Sequence, residues 1–240
     1  MIFIHIIDVE SYKGFHIFYF MGMKLNNYNN IKRVVFLVAL IIACVNIINF
    51  LLHYNENKEI KSKEEYINNE YIKDAVFDEV KYFPIALPNG EEDELYYDDS
   101  YGNERTYGGE RVHEGIDIFT KDNIPGQFPI VSVCDGVIEK IGWLELGGYR
   151  IGIRSKNNIY YYYAHLHRYD EFIYEGATVY AGQIIGYIGD TGYSKVEGTR
   201  GNFPVHLHFG VYIKNDENDI SINPYILLNK MENSILIYDF

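Results

Sequence analysis

The sequence predicts an all-β, mainly antiparallel domain carried on one N-terminal membrane helix. Two observations carry this expectation. From about residue 110, short apolar runs rich in Val, Ile and Tyr alternate with Gly, Asp and Asn turns at a spacing of about 8–12 residues. Residues 34–52 form a stretch of 19 without a charge, interrupted only by Asn46 and Asn49. The composition agrees: 24 Tyr against 14 Phe and one Trp suits the half-wet faces of strands.

The apolar run comes first. At about 1.5 Å per residue, 19 residues span close to the ~30 Å bilayer core. Soluble helices seldom stay apolar on every face for that length. Lys24, Lys32 and Arg33 precede the run, so residues 1–33 are expected in the cytoplasm and 53–240 outside. Ile41-Ile42-Ala43-Cys44 resembles a lipobox, but the apolar run continues past Cys44, and no small-x-small site with a polar exit follows. An uncleaved anchor is the expectation. Residues 1–22 hold an apolar run too short to span.

Residues 53–83 are charged, with Ile60, Ile67, Tyr71, Phe77 and Val80 at loosely helical spacing, and read as a juxtamembrane spacer ending before Pro84. The acidic stretch Glu91-Glu92-Asp93-Glu94 lacks EF-hand spacing and reads as a solvated loop. The β-rich domain is expected over 84–230, with strand-like runs at 130–134, 136–141, 149–154, 159–164, 178–181 and 183–188. Helical character returns only near 224–231, and 231–240 is a tail.

Two function classes fall away early. A formal charge of −13 opposes nucleic-acid binding, which needs a basic surface. Two cysteines, Cys44 and Cys134, give neither a disulfide framework nor a Cys-rich zinc site. A bound metal would therefore take imidazole and carboxylate.

Five histidines and one aspartate in the β region have the spacing for such a site. His206-Leu207-His208 lies in a strand-like run, so both imidazoles project to one face. His113 and Asp117 are four residues apart, again on one face if extended. His165 follows the run 160–164, with His167 as its expected same-face neighbour. Two His and one Asp make three zinc ligands and leave a fourth position open, while the remaining imidazoles could move protons. A serine or cysteine nucleophile fits worse: there is no G-x-S-x-G elbow, and Cys134 is flanked by apolar residues.

HEGIDI (113–118), YAHL (163–166), AGQIIGYIGDTGYS (181–194) and HLHFG (206–210), in this order, resemble the lysostaphin-type zinc endopeptidases that cut peptidoglycan peptides. The similarity runs from about Asp99 to Tyr225. It implies one zinc ion on His113, Asp117 and His208, with His165 and His206 as the catalytic pair and Tyr107 as an upstream tyrosine that polarises the scissile carbonyl. It implies metal-assisted amide hydrolysis, one of His165 and His206 handling the proton of the attacking water and the other the oxyanion or leaving amine. The insert at 194–204 is expected to line or lengthen one wall of the substrate groove, and His167 has no assigned role. The implied partners are peptidoglycan peptides, the cell membrane through the anchor, and an envelope or sporulation protein. The second class is a non-catalytic envelope domain of the same fold, such as a sporulation channel component.

Overall fold

The computed structural model describes residues 28–67, 70–90, 94–214 and 219–238. Most of the segment expected to be cytoplasmic, including the apolar run within 1–22, lies outside the described residues, as do Glu91, Glu92 and Asp93. The chain divides into two compact units, Met1–Ile60 and Lys61–Phe240.

The first unit is dominated by helix α1 (Tyr28–Ile67). Within Lys32–Tyr54 an 18-residue window has a mean hydropathy of 2.8 with none of its residues buried. Val35, Phe36, Ile41, Ile48, Phe50 and Leu52 are all exposed, so the helix is apolar all round. That composition suits a hydrocarbon solvent and fits a membrane span or a signal sequence equally.

The second unit begins within the last turns of α1, and α2 (Glu70–Glu79) follows, burying Val76 and Glu79. The strands follow in order: β1 (Leu87–Pro88), β2 (Leu95–Tyr96), β3 (Glu104–Arg105), β4 (Arg111–Val112) and β5 (Ile116–Thr120). Next come β6 (Pro129–Val131), β7 (Gly136–Leu144), β8 (Gly148–Ser155), β9 (Ile159–Leu166) and β10 (Arg168–Tyr169). The last are β11 (Thr178–Val179), β12 (Ile184–Tyr187), β13 (His206–Lys214) and β14 (Asp219–Ile222), then α3 (Tyr225–Met231) and β15 (Ile237–Tyr238).

Among the described residues the main sheet runs β11-β7-β8-β9-β13-β5-β2, with β14 also pairing β13, and each of these pairings is antiparallel. A smaller antiparallel sheet, β10-β12-β6, shares the core with it. Side-chain alternation assigns the two faces of the main sheet. Tyr161 and Tyr163 of β9, Ile151 and Ile153 of β8, and Leu207, Phe209 and Val211 of β13 are fully buried in that core. Their alternates, Arg150, Tyr160, Tyr162, His208 and Tyr212, form the opposite face and line a groove of about 680 Å³. The run of four tyrosines at 160–163 thus serves both layers: the odd ones fill the core and the even ones pave the groove.

Register brings the motifs together on that groove face. His208 of β13 stands opposite Asp117 of β5 on one side and Ala164 of β9 on the other. A one-residue slip would turn every one of these side chains into the core.

Candidate active site

His113 follows β4, Asp117 lies on β5 and His208 on β13, and their ligand atoms converge. His113 Nε2 is 3.0 Å from Asp117 Oδ1 and 2.9 Å from His208 Nδ1, which is itself 3.0 Å from Asp117 Oδ1. The close approach of the 113–117 segment to β13 needs Gly115. A Cβ there would lie 2.5 Å from the Phe209 carbonyl oxygen and 2.8 Å from the His208 ring.

The donor chemistry of this triangle fits a cation. His113 Nδ1 lies 3.0 Å from the Ser100 carbonyl, which can only accept. Arg105 Nη2, which can only donate, also lies 3.0 Å from that nitrogen, so contacts of opposite character meet there; with the proton on Nδ1, Nε2 would offer its lone pair to a cation between Asp117 and His208. Asp117 is buried and offers Oδ1 to both imidazoles while Oδ2 accepts a 2.8 Å hydrogen bond from Arg105 Nη2. Burial alone would disfavour its charge, but the polar contacts with the His113 and His208 rings and the nearby His206 outweigh burial and hold its carboxyl far below the usual range. The triangle's edges are close to the ~3.3 Å separations that bonds of about 2.0–2.1 Å give in a tetrahedral zinc site. Two imidazole nitrogens and one carboxylate oxygen are a donor set that zinc accepts.

His165 and His206 stand beside this cluster with ring centroids 4.6 Å apart. Each is locked in the same tautomer by a main-chain carbonyl. His165 Nδ1 donates to Thr191 at 2.8 Å, and His206 Nδ1 donates to Pro204 at 2.8 Å. Both Nε2 atoms are left with a lone pair, and that of His206 is 3.8 Å from Asp117 Oδ1. Burial lowers the pKa of both rings, that of His165 well below the ordinary value, so each is neutral at neutral pH.

The local fold of His165 is unusual. Its φ is +67°, a left-handed conformation uncommon outside glycine. It falls at an irregularity of the β8–β9 ladder, between the pairs Tyr149↔Leu166 and Ile151↔Tyr163, where Arg150 faces Ala164 and His165. The glycine-rich loop supports it from behind. Thr191 is fully buried, and its hydroxyl donates to the Leu166 carbonyl at 2.8 Å and accepts from Tyr149 N at 3.1 Å. Gly192, with φ +125°, lets the loop close: a Cβ there would sit 2.6 Å from the Leu146 oxygen.

The structure separates two expected residues from this constellation. The left-handed step at His165 breaks the two-residue alternation, so His167 does not line the groove; it pairs with Arg200, whose Nη2 donates to its carbonyl at 2.8 Å. Tyr107 is also outside the groove lining. Its hydroxyl donates to the Tyr193 carbonyl, and its ring stacks on that of Tyr193 at 4.4 Å. Three further residues join the site, none of them singled out by the sequence reading although Thr191 lies within the glycine-rich motif. Arg105 holds Asp117. Thr191 holds His165. Phe203, from the insert, packs its ring 4.6 Å from His165 and 5.1 Å from His206.

Comparison with known proteins agrees with this geometry. Residues 111–224 match Peptidase family M23. The chain is 42% identical over 150 residues to the L-Ala–D-Glu endopeptidase of Bacillus subtilis, covering 62% of this chain and 43% of that protein. It is 32% identical over 114 residues to a glycyl-glycine endopeptidase of Staphylococcus capitis, covering 47% of this chain and 28% of that protein. The matched stretches thus span less than half the length of these two relatives. A crystal structure from Ruminococcus gnavus, assigned as a candidate glycyl-glycine endopeptidase, superposes with a TM-score of 0.64 at 44% identity, covering 75% of this chain and 74% of that one. The chain belongs to peptidase family M23, the lysostaphin-type endopeptidases.

Proposed function

We propose that this chain is a membrane-anchored zinc endopeptidase that hydrolyses peptide bonds of bacterial peptidoglycan. The convergence of His113 Nε2, Asp117 Oδ1 and His208 Nδ1 beside two imidazoles with inward lone pairs carries the reading. His113, Asp117 and His208 would hold the ion. A zinc ion bound there supplies Lewis acidity to the scissile carbonyl and to the attacking water.

The remaining chemistry belongs to the side chains. His165 and His206, neutral and fixed through Nδ1, present Nε2 to the reacting centre. One accepts the proton of the attacking water; protonated, either can donate to the oxyanion or to the leaving amine. Phe203 keeps solvent from both rings. Arg105 holds Asp117 ionised in its ligating orientation. Tyr107 braces Tyr193, the aromatic wall beside His165, and reaches a substrate carbonyl only by giving up that bond. The helix within Lys32–Tyr54 anchors the enzyme, with basic residues on the cytoplasmic side and the catalytic unit outside.

A non-catalytic envelope domain would have no use for an open triangle of metal-ligand lone pairs. The test is zinc content of the full-length chain in detergent, together with release of new amino termini from purified sacculi. Stoichiometric zinc and chelator-sensitive release are expected. Undiminished release by metal-free protein would refute the mechanism.

A further inference from the structure

The relatives are named for two different bonds, L-Ala–D-Glu and glycyl-glycine. The first has a carboxylate on the residue after the cleaved bond, and the second has none. The charge of the groove distinguishes the two chemistries. The chain as a whole carries −13, yet the groove is lined by Arg105, Arg111 and Arg150 against Asp117 and Glu114. Arg105 is consumed by Asp117 at 2.8 Å. Glu114 is exposed and meets the Tyr212 hydroxyl at 3.5 Å. Among the described residues, Arg111 and Arg150 make no ion pair. Arg111 makes hydrogen bonds only to the Tyr107 carbonyl at 3.2 Å and the Tyr193 hydroxyl at 3.4 Å.

Arg150 is the more informative of the two. Its Nη1 is buried and has no hydrogen-bond partner. A buried guanidinium N–H without an acceptor is costly, and guanidinium geometry matches a carboxylate. The side chain lies on the groove face of β8, close enough to Tyr160 and Tyr162 for its charge to act on both hydroxyls. Its position relative to the ligand cluster follows from register. Arg150 faces Ala164 and His165 across β8–β9, and Ala164 faces His208 across β9–β13. Two strand spacings of about 4.8 Å put the Arg150 backbone roughly 10 Å from that of His208. An extended peptide advances about 3.3 Å per residue, so that distance is about three residues of backbone, and the long Arg150 side chain in the same groove shortens it to a group one or two residues from the scissile bond.

We propose that Arg150, assisted by the positive field of Arg111, is a carboxylate subsite, and that the enzyme selects peptide bonds flanked by an acidic residue over glycyl-glycine bonds. This rests on the endopeptidase reading for the bond that is cut, but not for binding. The subsite determines specificity and takes no part in the chemical step.

The experiment uses the full-length zinc-loaded chain in detergent and two muropeptides. One has a free D-Glu carboxylate beside the L-Ala–D-Glu bond, and in the other that carboxylate is amidated. Kd and kcat/KM are measured for both. The free carboxylate should bind at least tenfold tighter than the amide and be cleaved faster in the same proportion. Arg150→Met should bring the binding ratio towards one, and Arg150→Lys should retain part of it. Arg168→Gln, on a strand outside the groove, should leave the ratio as it is. Zinc content of each variant reports that the site is intact. Equal binding of the two peptides by the unaltered chain, or an undiminished ratio in Arg150→Met, overturns the subsite even if both are hydrolysed. A binding preference that depends on Arg150, without hydrolysis of either peptide, supports the subsite and refutes the endopeptidase reading instead.

Discussion

His165 Nδ1 and the Thr191 main-chain carbonyl are 2.8 Å apart, and this contact fixes the lone pair of an imidazole in the groove from 26 residues away in sequence. The Thr191 hydroxyl cannot be spared, because it bridges the Leu166 carbonyl and the Tyr149 amide. Thr191→Val removes both bonds while keeping the shape. It should cost about 1–2 kcal/mol of stability and lower kcat more than it raises KM, with zinc content unchanged. Thermal denaturation, zinc analysis and peptidoglycan kinetics on one preparation check this. Normal kcat would show that the loop does not position His165.

Arg105 should act through the metal. Its Nη2 bonds Asp117 Oδ2, the oxygen that the ligand triangle does not use. Arg105→Met should weaken zinc binding by roughly 10- to 100-fold, as loss of an outer partner does. Competition against a chromophoric chelator measures it, and native affinity would contradict the assignment.

Tyr107 should matter less than the imidazoles. Its hydroxyl is bonded to the Tyr193 carbonyl and is not aimed into the groove. Tyr107→Phe should reduce kcat/KM by about tenfold or less, against about 10²- to 10⁴-fold for removal of an acid–base group. A loss in the larger range would mean that Tyr107 swings onto the substrate during turnover.

Glu79 gives the second unit a pH-dependent stability. Burial raises its pKa above the ordinary carboxylate value, although Tyr161 donates to it at 2.8 Å. A raised folded-state pKa favours the protonated form. Glu79 therefore contributes its full stability below the unfolded pKa of about 4.3 and loses that contribution as pH rises through the folded value. Glu79→Gln should raise the melting temperature at pH 8 by roughly 2–4 °C and have less effect at pH 4. Equal shifts at both values would show that Glu79 is ionised in the fold.

Much of this was legible in the sequence, and the exceptions have physical causes. Period-two alternation correctly places His206 and His208 on one face, because β13 is regular from end to end. The same rule fails for His165 and His167. It assumes extended backbone, and the left-handed φ at His165 turns the next residues away from the groove. The helix near 224–231 and the strand texture are found as α3 and the main sheet. Arg105, Phe203 and Arg150 carried no signal of their own, and Thr191, though inside the glycine-rich motif, was not distinguished within it, since their roles depend on contacts between strands and loops distant in the chain. Arg150 in particular looks like any surface arginine until the bulge beside His165 and the tyrosines of β9 are in place.

The central claim separates ligands from acid–base groups on a single strand, and one paired measurement tests it most directly. Zinc stoichiometry and peptidoglycan hydrolysis are to be determined on the same preparations of the full-length chain and its His206→Ala and His208→Ala variants. Both residues sit on β13, two positions apart and on one face. His208→Ala should lose zinc and activity together, and His113→Ala and Asp117→Ala should do the same. His206→Ala and His165→Ala should keep zinc yet lose activity by about 10²- to 10⁴-fold. The double variant of these two should be little worse than either single one. His167→Ala, outside the groove, should change neither quantity. Zinc of native affinity in His208→Ala, or full activity in His206→Ala, would contradict the account.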